Sequence, residues 1–255
     1  MADWNSEQYL KFKAQRTQPA IDLAARLSGK PPEIIDLGCG PGNSTRVLKN
    51  RFPDAYIIGA DNSANMIEKA RADNPDLDFV IMDIMGDLSE MRGKFDVVFS
   101  NACLQWLPNH AELLPKLFGL LRKGGALAVQ IPMNYDEPIH KIIGRISESG
   151  KWSARFPEKR IFGTLMQSEY FDILSGITDD FEIWQTTYCH RMPSIESIIE
   201  WYRSTGLRTY LAALSDEDGA EFIADISAEL EKEYPKQKNG EIIFRFPRFF
   251  FIAKK

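Results

Sequence analysis

From Glu33 onward, short apolar runs alternate with stretches of helical periodicity. Residues 33–37 predict a first strand and 43–52 a helix. Residues 55–60 predict a second strand, and 63–74 a second helix with Ser63 as its N-cap, a hydroxyl placed to accept from an unpaired first-turn N–H. Third and fourth strands are expected at 77–82 and 95–99, a helix at 110–121 and a fifth strand at 124–130. Strand, helix, strand in this rhythm requires right-handed crossovers, which give a parallel sheet. After Ile131 the rhythm changes. Helices are expected at 136–149, 168–176, 194–204 and 216–233, from apolar residues at three- and four-residue spacing, and strands at 181–190 and 241–254. The two late strands suggest an antiparallel pair at the end of the sheet. Pro247 has no N–H to give a ladder, so it should mark a bulge or the end of pairing.

The chain of 255 residues suits one large α/β domain over 1–255, with helical lid insertions at about 133–178 and 194–236. A net charge of -5 excludes a strongly basic nucleic-acid footprint, so an anion can be bound only where arginines concentrate locally. Cys39, Cys103 and Cys189 are far apart, as are His110, His140 and His190. Neither a disulfide framework nor a metal site is expected from that spacing. The first residues lack the basic-then-apolar pattern of a signal peptide. The longest apolar run, 244–253, is broken by Arg245, Pro247 and Arg248, so no membrane span is expected and a cytoplasmic location follows by default.

The strongest chemical signal is Asp36-Leu-Gly38-Cys-Gly40-Pro-Gly42-Asn43, between a strand and a helix. Open α/β sheets bind ligands at that position. Gly38 and Gly40 permit close backbone approach, and the helix starting near Asn43 aims unpaired N–H groups at the ligand. A dinucleotide fingerprint would need glycine at position 43, where Asn43 stands. Acidic residues close the next two strands. Asp61 can accept both hydroxyls of a ribose, and Asp83 the exocyclic amine of adenine, with Ile84 against the ring. Each aspartate taken singly reads equally well as a cap or turn residue; carboxylates at three successive strand ends are harder to reach by accident.

These residues resemble the class I S-adenosylmethionine-dependent methyltransferases. Asp36 to Gly42 is similar to their first motif, Asp61 to the ribose-binding acid, and Asp83 to the adenine-contacting acid. Residues 95–101 are similar to their fourth-strand motif, and Lys123-Gly124-Gly125 to the turn before strand five. The resemblance implies a Rossmann-like α/β fold with a seven-stranded, mostly parallel sheet of order 3-2-1-4-5-7-6, the last strand antiparallel. It implies S-adenosylmethionine as cofactor and S-adenosylhomocysteine as product. It further implies cofactor contacts from Tyr9, Arg16, Asp36, Gly38, Gly40, Asp61, Asn62, Met66, Asp83, Ile84, Asn101, Ala102 and Trp106, with Gln105 also flanking the methyl group.

Within that class, the chain resembles the branch acting on a carboxylate of trans-aconitate. The likeness rests on Asp3-Trp4-Asn5, Tyr9-Leu10, Phe12 and Arg16 at the start, and on 39–45 and Leu104-Gln-Trp-Leu-Pro108 in the middle. Late in the chain it rests on Ile183-Trp184, Thr186-Thr187-Tyr188, His190, Met192-Pro193, 205–208 and 246–248. Cys189 and Arg191 depart from the pattern. The resemblance implies a small tricarboxylate substrate, with the acceptor positioned by Arg208, Arg16, Tyr188 and Trp106.

Chemistry agrees with such an acceptor. A carboxylate is ionised at neutral pH, so no general base is needed, and none is evident. His190 reads more readily as a packing histidine. Several carboxylates call for guanidinium forks, and the candidates are Arg16, Arg160, Arg191, Arg203, Arg208 and Arg248, although most arginines in any protein are solvated. Tyr9 and Trp4 can close over the cofactor from an N-terminal helix or simply pack an amphipathic segment. The competing readings are a methyltransferase for another small acid, an NAD-binding oxidoreductase, and a catalytically silent cofactor-binding module.

Overall fold

The computed structural model describes residues 13–156, 163–203 and 205–255. In chain order its elements are α1 (Lys13–Arg26), β1 (Glu33–Leu37), α2 (Asn43–Arg51), β2 (Tyr56–Asp61), α3 (Ala64–Asp73), β3 (Asp78–Ile81), β4 (Phe95–Asn101), α4 (His110–Gly119) and β5 (Leu121–Pro132). They continue with α5 (Pro138–Ser147), α6 (Gln167–Ser175), β6 (Phe181–Met192), α7 (Ile195–Arg203), α8 (Arg208–Leu211), α9 (Asp216–Glu233) and β7 (Ile242–Lys254).

The seven strands form one sheet of order β3-β2-β1-β4-β5-β7-β6, as expected. β2 and β4 flank β1 in parallel, β3 joins β2 and β5 joins β4 in parallel, and β7 runs antiparallel to β5. Strand order reverses at β1 and β4. The loops leaving their carboxyl ends diverge there and open a crevice. β1 is central, so Ile34, Ile35 and Leu37 are buried on both faces, which explains an apolar run without alternation.

Most element boundaries lie within two residues of the periodicity. β5 is the exception: it begins at Leu121, where a helix end was expected, and reaches Pro132. Its register against β4 shifts between Phe95 and Val97, so residues 122–125 form an irregularity inside the strand. The turn residues Gly124 and Gly125 thus sit within β5 and not before it. Pro247 lies inside β7, yet pairing with β5 runs from Lys254 only as far as Arg248, so the proline marks the end of that ladder.

The described residues fall into two compact units. The sheet unit holds 13–132, 163–186 and 248–255; the helical unit holds 133–156, 187–203 and 205–247. Thus α5 belongs to the helical unit and α6 to the sheet unit. The helical unit has its own core. Ile139, Ile142, Ile143 and Ile146 line one face of α5 and pack with Ile198 and Tyr202 of α7, Phe222, Ile226 and Leu230 of α9, and Phe244. Each such side chain contributes about 1.5–3 kcal/mol by leaving water. Asn134 Nδ2 donates to the Tyr202 hydroxyl at 2.9 Å, which satisfies two buried polar groups inside that core.

Candidate active site

β1 ends at Leu37 and the chain turns through the glycine loop into α2. The N–H groups of Gly38 and Cys39 both donate to the Ala60 carbonyl on β2, at 2.8 and 3.0 Å, which ties the loop to the neighbouring strand. Gly38 has φ 73°, and a Cβ there would lie 2.1 Å from Cys103 Sγ, so no other residue fits. Gly40 has φ 54°, and among the described residues nothing lies within 4 Å of where its Cβ would be. Among the described residues the loop is therefore packed at Gly38 and uncrowded at Gly40.

Asp36 is completely buried. Its Oδ2 accepts from Ser44 Oγ and Thr45 Oγ1, both at 2.7 Å, and fastens β1 to the first turn of α2. Its Oδ1 has no donor among the described residues. Burial pushes this carboxyl up to about 6; the two hydroxyls oppose the rise and the Asp61 charge adds to it. Asp61 is the last residue of β2. One carboxylate oxygen accepts from Gly40 N–H at 3.0 Å and the other from Ser63 N–H at 2.9 Å. Asp61 therefore braces the glycine loop.

Asn62 is exposed beside Asp61, and Met66 is buried in the first turn of α3, where its N–H donates to the N-cap Ser63. Asp83 is exposed, two residues beyond β3, and its Oδ1 accepts from Met85 N–H at 2.9 Å in an Asx turn. Ile84 is buried.

The loop after β4 forms the opposite wall. Asn101 ends the strand with Oδ1 buried and without a donor among the described residues, as is Gln105 Oε1. Ala102 takes φ 54°, held by its N–H to Gln130 O at 3.0 Å and by Gln105 Nε2 donating to its carbonyl at 2.7 Å. Trp106 closes a short 3-10 turn (Leu104–Trp106) and is partly exposed. Cys103 lies between the walls. Burial, then the Asp61 and Asp36 charges, push its thiol up to about 12, and the same influences hold the Cys39 thiol well above the usual range. Both stay protonated at neutral pH and offer no nucleophile.

The acceptor candidates divide between the units. Arg16 of α1 is buried in the sheet unit, as is Arg248, whose Nη1 donates to Gln130 Oε1 at 3.4 Å. In the helical unit Arg208 begins α8 and is half-buried, and the half-buried Tyr188 ring stacks on His190 at 6.3 Å. His190 in turn packs against Trp201 at 5.0 Å. Arg191 is on the surface in an ion pair with Glu241 at 2.7 Å, and Arg203 pairs with Glu200 at 3.4 Å. Trp4, Tyr9 and Arg160 lie outside the described residues. Sequence reasoning missed Cys103 and Gln130 as parts of the site. It also missed Ser44 and Thr45 as anchors of Asp36, although two hydroxyls in the first turn after an aspartate-ended strand were a readable signal.

The fold and this crevice define the class: an α/β methyltransferase with its cofactor loop between β1 and α2. A family profile described as "Methyltransferase domain" matches residues 34–125. A Methylobacterium radiotolerans protein named trans-aconitate 2-methyltransferase is 42% identical over 260 residues, covering 100% of this chain and 99% of that protein. An Escherichia coli protein of the same name is 43% identical over 256 residues, with 100% and 99% covered. Among solved structures, the YcgJ protein of Bacillus subtilis superposes with a TM-score of 0.58 at 14% identity, covering 95% of this chain and 99% of that one, a likeness of fold. The chain belongs to the trans-aconitate 2-methyltransferase family.

Proposed function

We propose that this protein transfers the methyl group of S-adenosylmethionine to a carboxylate of trans-aconitate, giving the monomethyl ester. The observation that carries the reading is the extent of the identity. It runs over the whole chain, far past the 34–125 span of the general methyltransferase profile, and so includes the segments that choose an acceptor.

The crevice fits the cofactor. Two neighbouring carboxylates, Asp36 and Asp61, and the buried acceptor oxygens of Asn101 and Gln105 favour a ligand that brings positive charge and donors. Among the described residues nothing crowds the Gly40 Cβ position, which leaves room for it. Bound there, the sulfonium supplies an electrophilic methyl group. Asp61 and Asp83 are assigned to the ribose and adenine, and Ile84, Asn62, Met66, Asn101, Ala102, Trp106, Arg16 and Tyr9 to the remaining cofactor contacts. Arg208, Tyr188, Arg16 and Trp106 are assigned to the acceptor, and residues 133–178 and 194–236 are its selecting insertions.

The acceptor oxygen is already anionic at neutral pH, so the residues need only align it and keep water out. A radiolabelled methyl-transfer assay against a panel of di- and tricarboxylic acids tests the reading. Labelled ester from trans-aconitate above the other acids is expected. Label on a different acid would replace the substrate. Cofactor binding without label on any acid would remove the catalytic reading.

A further inference from the structure

We propose that His110 and Tyr170 are positioning residues: they clamp the loop that carries Gln105 and Trp106 from behind and thereby set the rate of methyl transfer. The proposal rests on the methyltransferase reading above. All the residues involved belong to the sheet unit.

The loop needs a clamp. It is bracketed by Ala102 at φ 54° and Asn109 at φ 55°, the two non-glycine residues of left-handed backbone among those described. Such conformations cost about 1–3 kcal/mol each and persist only where the surroundings fix them. Between them the backbone makes a single 3-10 turn, closed by Trp106 N to Cys103 O at 3.0 Å and Leu107 N to Leu104 O at 2.9 Å.

His110 supplies the fixing contact. Its ring is buried, with Nε2 2.8 Å from Leu104 O and Nδ1 2.6 Å from the Tyr170 hydroxyl. A carbonyl oxygen only accepts, so Nε2 carries the proton. Nδ1 is then the acceptor of a hydrogen bond from Tyr170. The Leu165 N–H donates to the same hydroxyl at 3.4 Å. A one-way chain results, from Leu165 N–H to Tyr170 O–H to His110 to Leu104 O, in which each bond polarises the next. Burial holds the His110 pKa below its ordinary value, so the ring is neutral at physiological pH and the direction of the chain is fixed.

A third contact presses on the same loop. A Cβ on Gly163 would lie 1.7 Å from Leu107 O and 3.5 Å from His110 Nε2, so that segment lies flush against the loop and admits glycine alone. Both residues act on the loop through the Leu104 carbonyl.

Tyr170→Phe keeps the ring, which stacks on Phe249 at 5.3 Å, and removes only the hydroxyl, so the fold should survive. The expected result is a fall in kcat of roughly tenfold, equivalent to about 1.4 kcal/mol, with cofactor Kd close to the parent and a melting temperature lower by only the few degrees that the unpaired His110 Nδ1 costs. His110→Gln places an amide N–H near the position of Nε2 and should retain most of the parental kcat. His110→Asn cannot reach Leu104 O and should lose as much as Tyr170→Phe. Amide hydrogen exchange over residues 104–107 should quicken in Tyr170→Phe and His110→Asn but not in His110→Gln. Parental kcat and parental exchange in all three variants would overturn the proposal. The exchange measurement needs no turnover, so an inactive parent sinks the function reading while exchange still judges the clamp.

Discussion

Asp36→Asn isolates the electrostatic cost of building the glycine loop on a buried acid. Asp36 is wholly buried, and its carboxyl rises from an ordinary 3.8 to about 6 because burial outweighs the Ser44 and Thr45 hydrogen bonds. The folded state therefore holds this proton more tightly than the unfolded chain. Stability from the protonated acid is fully present below the unfolded value of about 4 and is lost as pH rises through about 6. The difference amounts to about 3 kcal/mol at 1.36 kcal/mol for each tenfold step in proton affinity.

The asparagine carbonyl can still accept from both hydroxyls, and it carries no charge at any pH. The variant should therefore gain stability on the parent, by about 3 kcal/mol, as pH goes from about 4 to about 7. With a urea slope near 3 kcal/mol/M, the gap between their midpoints should widen by about 1 M over that range. Titrating groups not coupled to Asp36, including His110 and the ion-paired surface carboxylates, are common to both proteins and cancel in the difference; Asp61, which feels the Asp36 charge, is the neighbour whose titration can differ. The assay is urea unfolding of both at matched pH values. A gap that stays constant with pH would refute the argument, because an acid of ordinary affinity would have to occupy the site.

Asp61→Ala should weaken S-adenosylmethionine binding at least tenfold by calorimetry, since it removes the proposed ribose acceptor together with the brace on Gly40 N–H; unchanged affinity would contradict the assignment. Arg208→Ala should raise the KM for the tricarboxylate about tenfold, the loss of one charge-assisted bond, while leaving the KM for the cofactor near the parent; equal kinetics would refute that role. Turnover should continue in excess chelator, because no group of His, Cys, Asp and Glu suited to a metal exists among the described residues; complete loss would demand a metal.

Local periodicity carried the parallel half of the fold because its signals are short-range. An apolar run such as Glu33–Leu37 can be buried only in a sheet covered on both faces, and Ser63 caps α3 through bonds to its own next turn. The start of β5 was illegible because residues 121–125 gain strand geometry from an irregular register with β4, a partner remote in the chain. Helix α8 is absent from the sequence expectation, since four residues carry too little periodicity to register. Pro247 was legible as an end of pairing because a missing N–H is a property of the residue itself.

The site divides along the same line. By itself the sequence determined that strands and helices alternate, that a glycine turn leaves β1, and that acids stand near the ends of β1, β2 and β3, because each follows from residue type and spacing along one segment; the methyltransferase sheet order was what the resemblance implied. Only the tertiary structure decided what those groups do. Asp36 became a buried brace, Asp61 the tie on Gly40, Cys103 the wall that makes Gly38 obligatory, and His110 the lock on Leu104. Each of these roles depends on burial or on a partner from another element. Neither desolvation nor a contact across the sheet is encoded in the spacing of residues along a single strand or helix.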